Sequence, residues 1–247
     1  MEWLGMEPLM VVFVAFASLA MAVLGGIAGI GSAVGMIPVL TFAFGIHTAI
    51  PVITVAMLFN NTSRWWANRS YTDYHVALWF ALGAVPAGVL GSVIFAGAPA
   101  ELLARGLGTF LLVLVVYRHL PIGRDAKMTN VRSFTGVGGV QGFLSGLFGG
   151  AGPFGAHFYL AYGLRRNAFV GTVGLAAIAM NLAKAGTYTR FALLDTRALV
   201  IAGAIGLIMV AGTYLGSALL KHMPDRVFVY LVEAIMVAAG VSLIIQG

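Results

Sequence analysis

The chain has 247 residues, of which 60% are hydrophobic and only 9% are charged, and its mean hydropathy is +0.98. A soluble domain usually carries about 25% charged residues, so this composition predicts a polytopic membrane protein and excludes a soluble globular domain. The formal net charge of +6 is spread over short loops, which is typical of positive-inside membrane insertion and not of a nucleic-acid-binding surface.

Ten apolar segments follow one another along the chain. They cover about 9–28, 34–44, 48–62, 76–96 and 101–117, and then about 134–148, 154–163, 168–183, 197–220 and 225–245. A spanning helix needs about 20 apolar residues, so the short segments 34–44 and 154–163 can cross only about half of a bilayer. We therefore expect an all-α polytopic membrane protein with a single transmembrane domain, residues 1–247.

Two glycine-rich stretches interrupt this pattern, one at 25–38 and the other at 146–155. A glycine inside a helix costs about 1 kcal/mol relative to alanine, so each stretch predicts a break in a helix. In a membrane, such a break survives only where the backbone is buried in protein or lines a polar cavity. Paired breaks in corresponding halves point to the binding site of a transporter. The alternative explanation is close helix packing through small residues.

The two halves of the chain resemble each other. Identical or similar residues recur at a spacing that grows slowly from 120 to 125, in the pairs Gly29 and Gly149, Asn61 and Asn181, Arg64 and Lys184, Asp73 and Asp195, and Pro99 and Pro224. This ordered series predicts two homologous repeats of about 115 residues, 9–118 and 132–246, joined by a charged linker, 119–131. Each repeat would contain one glycine-rich broken or re-entrant helix and three spanning helices.

The path of the chain at the glycine breaks decides how the repeats are oriented. If the chain runs straight through each break, each repeat has four spans and the repeats are parallel. If each break is the tip of a re-entrant hairpin, each repeat has three spans and the repeats are inverted. The inverted arrangement divides the 14 Lys and Arg residues ten to four across the membrane, and the parallel one divides them nine to five. The positive-inside rule therefore favours inverted repeats slightly.

The glycine run that leads to Pro38, its second copy and the duplicated hydropathy pattern resemble the sulfite exporter TauE/SafE family, also described as a 4-toluenesulfonate uptake permease family. The resemblance covers essentially the whole chain. Members commonly carry Gly-x-Gly-Gly-Gly followed by a proline. Here the copies read Gly29-Ile30-Gly31-Ser32-Ala33 before Pro38, and Gly149-Gly150-Ala151-Gly152-Pro153 with Phe158 where the later proline would fall.

The resemblance implies a secondary transporter, and more specifically an exporter, of small sulfur-containing anions such as sulfite or organosulfonates. It also implies an integral multi-pass protein of the bacterial cell inner membrane that works without a cofactor. The competing functions are a non-transporting membrane assembly or scaffold protein and a passive anion channel.

We expect the substrate site at the glycine breaks, because a half-helix N-terminus offers backbone N–H groups and positive potential to an anion. The expected backbone and hydroxyl contacts are Gly29, Gly31, Ser32, Gly149, Gly150 and Gly152. Asn61 with Arg64, and Asn181 with Lys184, place an amide and a cation on one helix face in each half and are further candidates. The alternative is that both cations snorkel from helix ends to the membrane surface.

Two ionisable residues are candidates for coupling transport to a proton or cation gradient. Glu233 lies inside an apolar segment, and His157 follows the second glycine stretch. A structural role is the alternative for each. No Walker A run, H-E-x-x-H or G-x-S-x-G motif occurs, and the chain has no cysteine, so we expect neither an enzyme nor a metal site.

Overall fold

The computed structural model describes residues 8–28, 32–120, 128–219 and 225–246, and in these ranges all regular structure is helical. Each of the ten predicted segments corresponds to one α-helix. The helices are α1 (Pro8–Ala28), α2 (Ser32–Phe44), α3 (Ile46–Asn68), α4 (Tyr74–Gly97), α5 (Ala100–His119), α6 (Phe134–Phe148), α7 (Gly152–Ala161), α8 (Arg166–Arg190), α9 (Thr196–Leu219) and α10 (Asp225–Gln246).

Four of the described helices contain stretches that are long and apolar enough to cross a membrane. These stretches are Tyr74–Gly97, Ala100–Tyr117, Asn167–Arg190 and Thr196–Leu215. α3 is comparable in length, at 23 residues, but Asn60, Asn61 and Arg64 interrupt its apolar sequence. The chain is therefore an all-α polytopic membrane protein, as its composition predicted.

The starts of α4 and α9 follow from aspartates at their N-termini. Asp73 Oδ1 accepts hydrogen bonds from the backbone N–H groups of His75 and Val76, both at 3.0 Å. Asp195 Oδ1 accepts one from the Ala198 N–H at 2.7 Å. Side-chain acceptors at this position satisfy N–H groups that lack partners within the helix, so the two aspartates fix where these helices begin.

α3 and α8 are longer than the sequence pattern predicted. The predicted segments ended at about 62 and 183, whereas the helices end at Asn68 and Arg190. Polar residues continue α3 because their side chains can bond within it: Asn68 Nδ2 donates to the Arg64 carbonyl at 2.8 Å. Arg64 and Lys184 therefore lie inside helices, which excludes the alternative that they snorkel from helix ends.

α6 and α7 form a hairpin. Gly149 ends α6 in the left-handed conformation, with φ +83°, which glycine adopts without strain. α7 then runs back along α6, since the Phe134 ring at the start of α6 lies 4.9 Å from the Tyr159 ring near the end of α7. Between these points, Gly155 packs on Gln141.

α1 and α2 also lie antiparallel. Gly35, near the start of α2, packs on Met21, which lies in the second half of α1. Leu9 and Phe13, at the start of α1, line an apolar groove together with Pro38, which lies inside α2 and not in its first turn. This groove has a volume of about 770 Å³ and is also bounded by α10.

Helices from different halves of the chain pair with one another: α4 packs along α6, α1 along α9, α3 along α8, and α5 along α10. α3 and α8 are antiparallel, because Gly171 lies against Asn68 whereas Gly174 lies against Asn61. α5 and α10 are antiparallel as well, because Gly108 lies against Leu243 and Ile244 whereas Gly240 lies against Leu112.

α4 and α6 run parallel and meet through their backbones. Gly138, Gly142 and Gly146 form a stripe with a spacing of four residues on α6, and a β-carbon on any of them would lie against the backbone of α4. Small residues at this spacing let two membrane helices approach closely. Close packing therefore explains Gly146, the first residue of the second glycine stretch, although it does not explain the hairpin tip that follows.

We expect Gly142→Ala to destabilise the protein. Its β-carbon would lie 2.7 Å from Ala84 Cα, and overpacking of this kind costs about 1–3 kcal/mol. Gly139→Ala is the matched control on the same helix, because nothing lies within 4 Å of its β-carbon and alanine favours a helix by about 1 kcal/mol. Thermal unfolding of the purified variants in detergent measures the difference, and equal midpoints would contradict the close contact.

Candidate functional site

A cavity of about 70 Å³ lies between α3, α8 and the tip of the α6–α7 hairpin. This volume is several times the roughly 10–15 Å³ that one water molecule requires, so the cavity has room for a small solute. Its polar side chains are Asn61, Arg64, Gln141, Ser145 and Asn181. Met57, Tyr159, Phe169 and Met180 are among the residues of its apolar wall.

The hairpin tip supplies backbone to this cavity. Gly149, Gly150, Ala151 and Gly152 all line it. α7 begins at Gly152, with Pro153 in its first turn, where the missing N–H of proline costs no helical hydrogen bond. The first turn of a helix leaves N–H groups without intrahelical partners and carries partial positive charge. The three glycines predicted from the second stretch therefore lie together at the cavity.

Asn61 and Arg64 of α3 and Asn181 of α8 face the same space. Their exposed fractions are 3%, 8% and 4%, so all three are buried. Arg64 therefore lines the cavity from inside α3 and does not snorkel from a helix end. Arg64 is the cation among the described residues that line the cavity, and these residues include no aspartate or glutamate.

Lys184 lies near the cavity, but its ammonium group binds the end of α6. The side chain is fully buried, and Nζ donates to Ser145 Oγ at 2.8 Å, to the Ser145 carbonyl at 3.3 Å and to the Gly149 carbonyl at 3.4 Å. Lys184 does not belong to the lining residues. The predicted pair of Asn181 and Lys184 therefore does not act on one site, because Asn181 faces the cavity and Lys184 faces the hairpin tip.

The first glycine stretch is only partly described. Gly29 and Gly31 lie outside the described residues, and Ser32 is the first residue of α2. Ala33 and Val34, which follow it, line the cavity. The start of α2 is therefore close to the tip of the other hairpin.

The two coupling candidates lie against α5 and do not line the cavity. Glu233 is 6% exposed, and its Oε2 lies 3.2 Å from Nε2 of His119 at the end of α5. The ring of His157 meets that of Tyr117 edge-on at 5.7 Å, and its Nδ1 is buried without a hydrogen-bond partner in the described part of the chain. Within the same ranges, no three His, Asp or Glu side chains are grouped as metal ligands would be.

Gln141 and Ser145 are cavity residues that the predicted site did not include. They lie one turn apart on α6, so they share one helix face, and this face lines the cavity. Gln141 is 5% exposed, and its Oε1 is buried without a hydrogen-bond partner in the described residues. Their spacing, directly before the glycine stretch, is the sequence signal that could have identified them.

The sequence model of the family described as Sulfite exporter TauE/SafE matches residues 14–243 of the 247-residue chain. The chain belongs to this family. Neither the curated proteins nor the solved structures give a match. The matched residues extend from α1 to α10, so they include the α6–α7 hairpin and the cavity. TauE/SafE is a family of membrane transporters and not of enzymes, as the resemblance implied.

In this TauE/SafE protein, we expect a cysteine at Asn181 to react with a small, water-soluble thiosulfonate reagent. Asn181 faces a polar cavity, whereas Leu182 is 58% exposed on the apolar outer surface. Because the natural chain has no cysteine, Asn181→Cys and Leu182→Cys are clean single-cysteine variants. A lipid-facing thiol ionises poorly, so Leu182→Cys should label slowly. Equal labelling, or an inert Asn181→Cys in folded protein, would contradict a solute-accessible cavity.

Proposed function

We propose that this TauE/SafE protein is a secondary transporter that exports small sulfur-containing anions, such as sulfite or organosulfonates, across the bacterial inner membrane by alternating access. The observation that carries the proposal is the buried cavity, which Arg64, Asn61, Asn181 and the first turn of α7 all line. Amide and backbone N–H groups donate hydrogen bonds to an oxyanion, and the guanidinium adds a charge-assisted contact.

The size of the cavity favours a compact anion within that class. A volume of about 70 Å³ suits an oxyanion of a few heavy atoms, such as sulfite. A larger organosulfonate would fill more of the space beside the hairpin tip. Met57 and Met180 are the adaptable part of the wall, because methionine side chains repack easily.

Two inverted repeats, 9–118 and 132–246, with the linker 119–131 between them, are part of the proposal. The antiparallel pairing of α3 with α8 and of α5 with α10 supports inversion, since these helices are the corresponding elements of the two halves. The contact of Gly35 with Met21 also corresponds to that of Gly155 with Gln141, at the 120-residue spacing. Inverted repeats allow a transporter to open to either side of the membrane around one fixed site.

The charge distribution supports an assignment of the two membrane faces. Arg64 and Lys184 are buried and count for neither face. In the inverted arrangement, the face that holds the linker carries nine of the other 12 Lys and Arg residues, so we assign it to the cytoplasm. The energy for transport would come from an ion or proton gradient or from the gradient of the substrate itself. We assign proton coupling to Glu233 and His157, since ionisable groups inside a membrane protein are costly to retain.

Counterflow into proteoliposomes tests this function directly. Vesicles preloaded with unlabelled sulfite are diluted into radiolabelled sulfite, and protein-free liposomes are the control. We expect transient accumulation of label, because a carrier exchanges internal for external substrate. A second preload with a small organosulfonate ranks the two substrate classes.

The other outcomes distinguish the competing functions. Flux without saturation or counterflow would indicate a passive anion channel. If folded protein accumulates no label with either preload, a scaffold role would be favoured and the transport proposal would be overturned.

We expect Gly152→Leu to abolish sulfite binding and counterflow while the protein still folds. Gly152 lines the cavity and begins α7, so the added side chain would fill the approach to the helix N-terminus. Gly136→Leu on α6 is the control, because nothing lies within 4 Å of the β-carbon that it adds. Wild-type affinity in a folded Gly152→Leu variant would remove this site from the proposal.

A further inference from the structure

The deepest cation in the described part of the chain has no carboxylate among its hydrogen-bond partners. Lys184 is fully buried in α8, and the bonds described for its ammonium group go to Ser145 and Gly149. Tyr188, one turn later on the same helix face, donates its hydroxyl to the Gly146 carbonyl at 2.7 Å. Both side chains therefore bind the last turn of α6. The Ser145 carbonyl also accepts from the Gly149 N–H at 2.9 Å, and the carbonyls after it lack partners within the helix.

The position of this helix end creates an electrostatic conflict for an anion site. A helix C-terminus carries the equivalent of about half a negative charge, and a helix N-terminus carries the equivalent of about half a positive charge. In this hairpin, α6 ends at Phe148 and α7 begins at Gly152, so opposite ends of two helices lie beside one cavity. Left uncompensated, the end of α6 would repel the anion that the start of α7 attracts.

We propose that Lys184 neutralises the C-terminal end of α6 and so makes the hairpin tip attractive to an anion without contacting that anion. This inference rests on the proposed function and assigns Lys184 a role that differs from the direct contact expected from the sequence. The ammonium group lies 3.3 Å and 3.4 Å from the carbonyl oxygens of Ser145 and Gly149. Its charge is therefore placed on the negative end of the hairpin, and the positive end of α7 remains for the substrate.

Ser145 links this arrangement to the cavity. Its hydroxyl accepts the shortest of the Lys184 bonds, 2.8 Å, and lies 3.4 Å from the Gly149 carbonyl, to which it donates. Ser145 and Gly149 also line the cavity, whereas Lys184 does not. Lys184 is thus a positioning residue, separated from the substrate by the groups that it holds.

The chain offers a matched control for the charge. Tyr188 binds the same helix end with a neutral hydroxyl, so Tyr188→Phe removes a hydrogen bond without removing a charge. Lys184→Gln removes the charge and keeps a hydrogen-bond donor, whereas Lys184→Arg keeps the charge. A purely structural role would make Lys184→Gln and Tyr188→Phe lose affinity in proportion to their loss of thermal stability.

The experiment measures the Kd of radiolabelled sulfite for the purified full chain in detergent, together with the thermal midpoint of each variant. We expect Lys184→Gln to bind sulfite about tenfold more weakly, the size of a partly buried helix-end charge effect. We expect Lys184→Arg to stay within about threefold of wild type, and Tyr188→Phe to stay within about twofold even where its midpoint falls. If Lys184→Arg does not fold, the contrast between Lys184→Gln and Tyr188→Phe still decides the question.

Two results would overturn the inference alone. These are wild-type affinity in a folded Lys184→Gln variant, and equal losses of affinity in Lys184→Gln and Tyr188→Phe. If the wild type binds neither sulfite nor an organosulfonate, the proposed function fails first and this inference falls with it. Sulfite binding by the wild type therefore distinguishes failure of the proposed function from failure of the inference about Lys184.

Discussion

A helix whose end is buried in the protein must find hydrogen-bond donors there for its last carbonyl groups, because an unpaired buried carbonyl is costly. In this chain, α6 meets that requirement through Lys184 and Tyr188 of α8. These contacts also position the cavity wall. Because Lys184 holds α8 against the end of α6, Asn181 on the preceding turn of α8 faces the space beside the hairpin tip. These bonds therefore tie the tip of the α6–α7 hairpin to α8.

The hairpin is held from three directions by different kinds of contact. α8 supplies polar contacts, and α4 supplies close backbone packing along the glycine stripe of α6. α5 supplies aromatic contacts, with Phe110 stacked at 4.9 Å on Phe148 and Tyr117 at 5.4 Å from Phe154. Stacked aromatic pairs add about 0.5–1.5 kcal/mol beyond the burial of their area. The combination restrains a segment that has only ten residues of helix after its break.

Local chemistry explains what the sequence predicted correctly. Apolar length and the glycine breaks are each set within a few residues, so the ten helices could be derived in order. The shared face of Asn61 and Arg64 also follows from helical spacing, and both residues line the cavity. Proline position was less informative, because Pro153 lies in the first turn of α7 whereas Pro38 lies further inside α2.

The parts that could not be predicted depend on contacts between distant segments. Helical spacing places Asn181 and Lys184 on one face, but it does not reveal that α6 ends beside Lys184, whose partner Ser145 is 39 residues away in sequence. The extents of α3 and α8 were underestimated for a related reason. Polar residues such as Asn68 end an apolar pattern, yet they continue the helix when their side chains find local acceptors.

The backbone contact between α4 and α6 has a mechanical consequence. Where Gly138, Gly142 and Gly146 meet α4, there are no side chains whose rotamers could change to let one helix slide past the other. We therefore expect the two helices to move together, although α4 belongs to the first half of the chain and α6 to the second. Any displacement of the α6–α7 hairpin must carry α4 with it. We therefore expect one moving unit of this protein to include helices from both halves of the chain.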